Sequence, residues 1–369
     1  MGRRRGRSIG RARPSGMATL IMVAALVLSG CAGGAPSTPS ADVRTAAPTG
    51  SANAGRLDEV VRGLTSPWEA LALDDESLLV SERDTGRIVR VDGDRVTEVR
   101  RLAEVDPGGE GGLLGLALSP DRDTLFAYFT AAEDNRIVAM SWNGTELGEP
   151  RVILDGIPNG GRHNGGRIVV GPDGFLYVGT GEVGDTRLAQ DRASLGGKIL
   201  RITLEGQPAP GNPFGSEVWS YGHRNVEGLA FDPDGRLWAS EFGEQSWDEL
   251  NLITKGSNYG WPEVEGSGSG EGLTNPKVVW STDEASPAGL AYADGALWMA
   301  ALRGERLWQI PVSGTDVGEP RSHFDGEHGR IRTVTPTPGG GALLVVTSNT
   351  DGRGDVRDGD DRIFRMRLA

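Results

Sequence analysis

One histidine stands among glycines in the segment GRHNGGRIVVGPDG, residues 161–174, just before an apolar stretch and a turn. It is His163, one of only four histidines in the chain. Imidazole titrates near neutral pH, which suits it to take a proton from a reacting group. Gly161, Gly165 and Gly166 allow the backbone to approach a ligand closely. Because a lone loop histidine is more often structural, two interpretations stand: a structural residue or a general base.

Four arginines lie near turns or near the beginnings of apolar stretches: Arg224 in YGHRNVEG, Arg303 in ALRGERLW, and Arg330 and Arg332 in GRIR. Their planar guanidinium groups bind carboxylates and phosphates through paired hydrogen bonds. Because the chain has a formal net charge of −13, such a cluster favours a ligand with several carboxylate or phosphate groups. For any single arginine, a solvated surface charge is the alternative. The acidic balance argues against nucleic acid as a partner.

The segment WDELNLITKGSNYGW, residues 247–261, combines carboxylates with backbone oxygens in a loop. Asp248, Glu249, Asn251 and the carbonyl group of Tyr259 are oxygen ligands of the kind that Ca²⁺ prefers. Their spacing does not match an EF-hand, so a calcium loop and a polar surface loop explain the segment equally well.

Other common chemistries are disfavoured. A zinc site is disfavoured because the sequence has no pair of cysteines and its histidines show no i,i+4 spacing. A serine nucleophile is disfavoured because the chain contains no G-x-S-x-G nucleophile elbow. The glycine-rich GTGEVGD does not predict a dinucleotide-binding loop, because it ends a strand pattern and no helix pattern follows it.

From residue 57 onward the chain repeats one pattern: two apolar residues, a Pro/Asp/Gly turn, and a stretch in which apolar and polar residues alternate. Units 44 to 61 residues long, each with several strands, predict an all-β fold, a six-bladed β-propeller in which neighbouring blades bury one another's faces. A β-sandwich is the alternative. The two longest units predict insertions after blades three and four, on one face. The copies align on Leu71, Leu116, Ile168, Leu229, Leu290 and Val334.

The first residues are predicted to lie outside this fold. An arginine-rich start and the apolar MATLIMVAALVLSG, too short to span a membrane, end at LSGC, a lipoprotein signal with Cys31 as the lipid acceptor. An ordinary secretory signal is the alternative. We therefore expect a signal peptide at residues 1–30, a lipidated cysteine and flexible linker at 31–56, and the propeller at 57–369. The mature protein is predicted to be extracytoplasmic and held to the membrane only by its lipid anchor.

The fragments HNGG, AQD…LGGKILRI, YGHRNVEGLAFDPDGRLWASE, DELNLITKGSNYGWP and GRIR occur in this order along the chain. As a set they resemble the soluble sugar dehydrogenases that depend on pyrroloquinoline quinone (PQQ), also called the glucose/sorbosone dehydrogenase family. The resemblance extends over about residues 57–369. It implies a six-bladed propeller with PQQ on one face, and oxidation of an aldose at C1 to the lactone, with electrons passed to an external acceptor.

The resemblance also implies roles for individual residues. His163 corresponds to the general base, which takes the proton of the anomeric hydroxyl while hydride passes from C1 to the quinone. Backbone carbonyls of Gly243 and Glu244 correspond to ligands of a catalytic Ca²⁺, and Glu249 and Tyr259 to a second, structural calcium site. The residues matching cofactor-binding positions are Glu110, Arg224, Asn225, Arg303, Arg330 and Arg332.

The chain also departs from the family pattern. Glu110 stands where the family usually has glutamine, and Arg162 stands where glucose-active members have aspartate. Phe242 and Glu244 replace a polar residue and a proline beside the first calcium. Two other functions remain open on the sequence: a calcium-dependent lactonase, which needs no arginine cluster, and a non-catalytic propeller that binds glycans or a partner at the cell surface.

Overall fold

The computed structural model describes residues 54–368. The predicted signal peptide, Cys31 and most of the predicted linker lie outside the described residues. In the described part the chain forms six antiparallel sheets, and the prediction of a six-bladed β-propeller is confirmed. No helix of residues 54–368 is long and apolar enough to span a membrane.

Each blade is a sheet whose strands follow one another from the centre of the ring outward. Strand β1 (Ala54–Arg62) precedes the blades in the chain. Blade one contains β2 (Pro67–Ala72), β3 (Ser77–Glu82), β4 (Arg87–Asp92) and β5 (Arg95–Arg101). Blade two contains β6 (Leu113–Leu118), β7 (Thr124–Thr130), β8 (Asn135–Ser141) and β9 (Arg151–Ile157).

The middle blades carry the long connections. Blade three contains β10 (Ile168–Val170), β11 (Leu176–Gly179), the short helix α1 (Arg187–Gln190), β12 (Lys198–Ile202) and β13 (Val218–Tyr221). Blade four contains β14 (Val226–Phe231), β15 (Leu237–Glu241), β16 (Trp247–Ile253) and β17 (Val278–Ser281).

Blade five has five strands, and β1 completes blade six. Blade five contains β18 (Pro287–Ala293), β19 (Ala296–Ala301), β20 (Arg306–Ser313), β21 (Asp316–Val317) and β22 (Arg321–His323). Blade six contains β23 (Ile331–Pro336), β24 (Ala342–Thr347) and β25 (Arg362–Leu368), with β1 antiparallel to β25 on its outer edge.

The innermost strands pack in a closed circle, each against the next, from β2 through β6, β10, β14, β18 and β23 back to β2. All six begin at one face of the ring, which we call the upper face. Their residues are almost continuously buried, because each blade is covered on both sides by its neighbours. The aligned residues of the repeat all lie on these strands. The largest fully buried side chains include Trp238, Trp298, Tyr128, Phe126 and Phe129.

Two expectations differ in detail from the structure. The extra residues lie within blades three and four rather than after them: 180–197 between β11 and β12, 203–217 between β12 and β13, and 254–277 between β16 and β17. Because the strands alternate in direction, 180–197 lies at the upper face, whereas 203–217 and 254–277 both leave their strands at the lower face. The connection 254–277 reaches back to the upper face, where Glu265 accepts the amides of residues 244–247. Strand β1 also lies partly inside the predicted linker, because it starts at Ala54 and its sequence has no apolar run that would mark it as a strand.

Candidate active site

A cavity of about 400 Å³ opens at the upper end of the central channel. Half of its lining residues lie on the innermost strands or just before them, and the other half lie in the loops between the second and third strands of a blade. Five of the six blades, all except blade three, therefore deliver side chains to the same space. Five arginines and three acidic residues line it, together with Trp68, Phe242, Ser286 and Leu302. The charged lining residues are Arg83, Arg303, Arg330, Arg332, Arg353, Glu110, Glu227 and Asp351.

Both arginines of GRIR line this cavity, so they can bind the same ligand. Arg330 donates from Nε to Asp351 Oδ2 at 2.9 Å, and burial lowers the pKa of its guanidinium while Asp351 opposes that shift. Arg332 donates from Nη1 to Glu227 and leaves its buried Nε without a partner. A buried cationic donor without an acceptor is costly, which points to an anionic ligand at this position.

Arg303 lies at the rim of the cavity. Its side chain is 61% exposed and its Nη2 is 2.5 Å from Asp283 Oδ1. Arg83 and Arg353, which the sequence did not single out, complete the cationic lining. Both lie in loops whose sequences carry no motif, so only the closed ring brings them to the site.

Arg224 and Asn225 lie beside the cavity instead of lining it. Arg224 donates from Nη1 to the carbonyl oxygen of Phe242 at 3.4 Å, and its buried Nε has no partner. Asn225 accepts a hydrogen bond from the amide of Gly165 at 2.9 Å and donates to Glu227 Oε1 at 3.0 Å. The Asn225 amide therefore fixes the loop that carries His163 and connects it to the partner of Arg332.

His163 is buried in a left-handed backbone conformation with φ of 54°. Its Nδ1 is 2.6 Å from Oε1 of Glu182, a carboxylate that is itself buried. A carboxylate at Nδ1 favours the tautomer that carries the proton there, so Nε2 keeps the free lone pair that a general base needs. His163 does not line the cavity, but its backbone amide donates to Glu110, which does, at 2.7 Å.

Glu182 is, with Arg83 and Arg353, a residue of the site that the sequence did not single out. It follows β11 in GTGEVGD, a glycine-rich segment that was weighed only as a dinucleotide-binding loop and excluded because no helix pattern follows it. The signal was available: a carboxylate after the second strand of blade three lies near the residues that precede the first strand, because the two strands are antiparallel neighbours.

Glu110 brings a negative charge to the cavity, and Arg353 balances it. Glu110 Oε1 is 2.7 Å from Arg353 Nη1, and Oε2 accepts the hydrogen bond from His163. Burial would raise the pKa of Glu110, but the His163 amide and the charge of Arg353 outweigh it and hold the pKa below its ordinary value. The carboxylate is therefore ionised and paired, which removes the repulsion that a free glutamate would exert on an anionic ligand.

The loop of the first predicted calcium site has a fixed backbone. The amides of residues 244–247 all donate to Glu265 Oε1 at 2.6 to 3.1 Å, and the amide of Gly243 donates to Asp248 Oδ1 at 2.8 Å. Burial raises the pKa of Asp248 to about 6. No hydrogen bond within residues 54–368 reaches the carbonyl oxygens of Gly243 and Glu244. These oxygens are thus available to a cation beside a buried carboxylate.

The second predicted calcium site contains a crowded pair of buried carboxylates. Burial and the neighbouring charge of Glu241 raise the pKa of Glu249 to about 8. Glu249 accepts hydrogen bonds from Asn251 Nδ2 at 2.9 Å and from the amide of Gly266 at 2.7 Å, while Asn251 Oδ1 is buried without a partner. In the described residues no group of three or more histidine, cysteine, aspartate or glutamate side chains is arranged to hold a metal.

Tyr259 and His223 pack beneath this region. The Tyr259 ring stacks on His223 at 4.6 Å between centroids, and its hydroxyl donates to the carbonyl oxygen of Leu252 at 2.7 Å. His223 lies between Ser220 and Glu241, with 2.8 Å to each, in the order of a catalytic triad. Ser220 and His223 are completely buried, so no substrate reaches them. Glu241 also accepts a hydrogen bond from the backbone amide of Arg224, so the cluster of Ser220, His223 and Glu241 supports the backbone at Arg224.

Comparison with known proteins gives one consistent family. A family model described as Glucose / Sorbosone dehydrogenase matches residues 64–357. The structure of the PQQ-bound form of aldose sugar dehydrogenase from Streptomyces coelicolor has a TM-score of 0.83 to this chain at 57% sequence identity, and covers 87% of this chain and 99% of that one.

Two relatives of known activity agree. Quinoprotein glucose dehydrogenase B of Acinetobacter calcoaceticus is 33% identical over 56% of this chain and 52% of its own length. The aldose sugar dehydrogenase of Escherichia coli is 31% identical over 66% of this chain and 76% of its own length.

Proposed function

Because the chain belongs to the glucose/sorbosone dehydrogenase family, we propose that it catalyses the PQQ- and Ca²⁺-dependent oxidation of an aldose at C1 to the lactone. His163 is the general base, and the electrons pass to an external acceptor. The observation that carries the proposal is the arginine-lined cavity next to a buried histidine–carboxylate pair. The PQQ-bound relative supports the choice of cofactor.

The residues present fit a planar, polycarboxylated cofactor. The chemistry that PQQ supplies when bound is acceptance of a hydride from C1 of the sugar. Arg330, Arg332 and Arg303 would hold its carboxylates, and the unpartnered buried Nε of Arg332 gives one such bond a ready donor. Arg224 offers a second unpartnered Nε, next to the wall formed by Phe242.

Proton transfer in this proposal uses the pair of His163 and Glu182. The imidazole takes the proton of the anomeric hydroxyl at Nε2, and the carboxylate at Nδ1 stabilises the positive charge that develops on the ring. Burial of both groups keeps water from competing for the lone pair.

Calcium fits the loop at Gly243 and Glu244, where free carbonyl oxygens lie near Asp248. A cation there would increase the positive potential on the cofactor side of the cavity and stabilise charge that accumulates on an oxygen. A second cation would relieve the repulsion between Glu249 and Glu241 and give the unpartnered Asn251 Oδ1 a ligand role.

The arginine-lined cavity favours the dehydrogenase over the other functions that the sequence leaves open. A calcium-dependent lactonase activates water with the metal and has no use for five cationic side chains. A non-catalytic propeller that binds neutral glycans likewise has no need of this cationic lining.

Reconstitution tests the proposal. Purified apoprotein supplied with PQQ and Ca²⁺ should reduce a redox dye in the presence of an aldose. His163→Ala should lower turnover by about 10²- to 10⁴-fold while PQQ affinity is retained, because the base touches the substrate and not the cofactor. Full activity in His163→Ala would reject the base, and no dye reduction with any aldose would reject the activity.

We also propose that Cys31 is lipidated and holds the domain at the outer side of the membrane through a flexible tether. The signal-like segment before Cys31 supports this location. Expression of the full chain with a labelled fatty acid should label the protein in the membrane fraction, and Cys31→Ser should release an unlabelled protein. Equal labelling of the variant would contradict the assignment.

A further inference from the structure

Seven arginines surround the upper cavity and the loop of His163, and they differ in one respect. Five of them form an ion pair with a carboxylate, whereas Arg162 and Arg224 do not. Both unpaired residues adjoin parts of the proposed site of proton transfer. Arg162 directly precedes His163, and Arg224 directly precedes Asn225, which holds the His163 loop through the amide of Gly165. The five ion pairs are Arg83–Asp84, Arg303–Asp283, Arg330–Asp351, Arg332–Glu227 and Arg353–Glu110.

Arg162 extends over the turn that carries the partner of the base. Its guanidinium lies against Gly184, where an added Cβ would be 3.0 Å from Arg162 Nε. Gly184 is two residues from Glu182, which binds His163 Nδ1. Arg162 is exposed and forms no hydrogen bond, ion pair or ring contact among residues 54–368. Its donors are therefore free beside the loop that carries His163.

Arg224 gives the same region a second positive charge. Burial lowers the pKa of its guanidinium, and the positive charge of Arg162 lowers it further, while Glu182, Glu244 and Glu265 raise it. Two of these acids are already engaged, since Glu182 binds the imidazole and Glu265 accepts four backbone amides. Glu244 is exposed in its loop. The surroundings of the base thus carry two guanidinium groups without a dedicated counter-ion.

We propose that the substrate is an aldose bearing a carboxylate, a hexuronate, and that Arg162 is the residue that selects it. This inference rests on the proposed function. The proposed function assigns Arg224 to the cofactor, which leaves Arg162 for the sugar, and the flat fork of a guanidinium matches a carboxylate better than a hydroxyl group. The substrate carboxylate binds Arg162 and takes no part in the reaction.

The reaction at C1 is unchanged by this choice. The C1–H bond breaks and its electron pair leaves as hydride to the oxidised quinone cofactor. The anomeric O–H proton passes to His163, and the C1–O bond becomes the carbonyl of the lactone. A hexuronate is thereby converted to the lactone of an aldaric acid, and the reaction that consumes this product is hydrolysis of a lactone.

The test compares sugars that differ only at C6. With PQQ and Ca²⁺, kcat/KM is measured by dye reduction for D-glucuronate against D-glucose and for D-galacturonate against D-galactose. We expect the uronate to be favoured by about tenfold to a hundredfold, the range that one hydrogen bond to a charged group supplies. The preference should reside in KM and should weaken as salt is raised.

Variants assign the preference to one side chain. Arg162→Gln should lower the ratio of uronate to aldose kcat/KM at least tenfold through KM, and Arg162→Lys should restore part of it. The matched control is Arg187→Gln, at an exposed arginine that begins α1 and pairs with Asp185; it should leave the ratio unchanged. Equal kcat/KM for the uronates and aldoses, or equal loss of the ratio in both variants, overturns the proposal.

Binding measured without turnover separates this inference from the activity itself. Calorimetric titration of the PQQ-loaded His163→Ala variant with D-glucuronate should show tighter binding than with D-glucose, and adding Arg162→Gln should remove the difference. If no sugar supports dye reduction, the proposed function fails while this titration still decides the role of Arg162. Tighter binding of D-glucose 6-phosphate than of D-glucuronate would overturn the carboxylate assignment.

Discussion

The proposed proton transfer depends on a contact between two buried side chains, His163 and Glu182, 2.6 Å apart. The carboxylate selects the tautomer of the imidazole and holds the ring in place, and so acts on the reaction through the base. The left-handed backbone at His163 is unusual for a residue other than glycine and is fixed by the hydrogen bond from its amide to Glu110. Three residues from separate loops therefore determine the direction of one lone pair.

Glu182→Gln should lower kcat about tenfold to a hundredfold and leave the affinity for PQQ unchanged. The amide can still bind Nδ1, but it cannot stabilise the imidazolium that forms during catalysis. Steady-state kinetics over a range of pH should show the acidic limb of kcat/KM, on which the base becomes protonated, displaced from that of the wild type, which a loss of folding alone would not produce. An unchanged pH profile with reduced kcat would contradict the role of Glu182.

The ion pair of Glu110 and Arg353 yields a double-mutant prediction. Arg353→Gln leaves an ionised carboxylate facing the cofactor, and the affinity for PQQ should fall about tenfold. Glu110→Gln combined with Arg353→Gln should recover most of the affinity, because the uncompensated charge is gone. Fluorescence titration with PQQ measures the cycle. A double variant no better than Arg353→Gln would show that the pairing does not matter to the cofactor.

The site residues available to sequence reasoning were those with a distinctive local setting. His163 lies among glycines, and the arginines of GHRN and GRIR lie at strand beginnings. Glu182, Arg83 and Arg353 have no such setting. Glu182 meets His163 when two neighbouring strands of blade three pair. Arg353 meets Glu110 only after the ring has closed, because the two residues lie in blades six and two.

In blade four, the long connection 254–277 follows strand β16, returns to the upper face and contacts both β16 and the loop of residues 244–247. Glu249 of β16 accepts a hydrogen bond from the amide of Gly266, and Glu265 accepts hydrogen bonds from the amides of residues 244–247. The connection therefore holds the loop proposed to bind calcium. Its length was visible in the sequence as an oversized repeat unit, but its path across the blade was not.

Glu249 makes the metal-free protein sensitive to pH. Burial and the charge of Glu241 raise its pKa to about 8 from an ordinary value of 4.5, so the folded chain keeps a proton that the unfolded chain releases. The free energy of unfolding should fall as pH rises from about 4.5 to about 8. Thermal unfolding in chelator should record this fall, and Glu249→Gln should reduce it. Added Ca²⁺ should stabilise the wild type most at the upper end of the window, because the metal needs the ionised carboxylate.

Two outcomes would contradict this assignment. A pH dependence that is identical in wild type and Glu249→Gln would place its origin elsewhere. Stabilisation by Ca²⁺ that is equal in both would show that Glu249 does not bind the metal.

At the scale of the whole molecule, the ring closes through a contact between the two ends of the folded chain. Strand β1 pairs with β25 and completes blade six, which ties the beginning of the domain to its end. The periodic spacing of the repeats predicted the number of blades, because each unit needs neighbours on both faces. The closing strand was not predicted, since β1 has neither the apolar pair nor the turn that mark the repeat.

Ring closure brings arginines that are distant in sequence to one cavity, and PQQ binding measures whether they act together on this anionic cofactor. Titration of PQQ into the calcium-loaded apoprotein, followed by the fluorescence of tryptophans such as Trp68 in the cavity, should show saturable binding at one site. Arg332→Gln should weaken binding at least tenfold, whereas Arg321→Gln, at an exposed position on β22, should leave it unchanged. Absence of saturable binding in the wild type, or equal affinity in the two variants, would contradict the account.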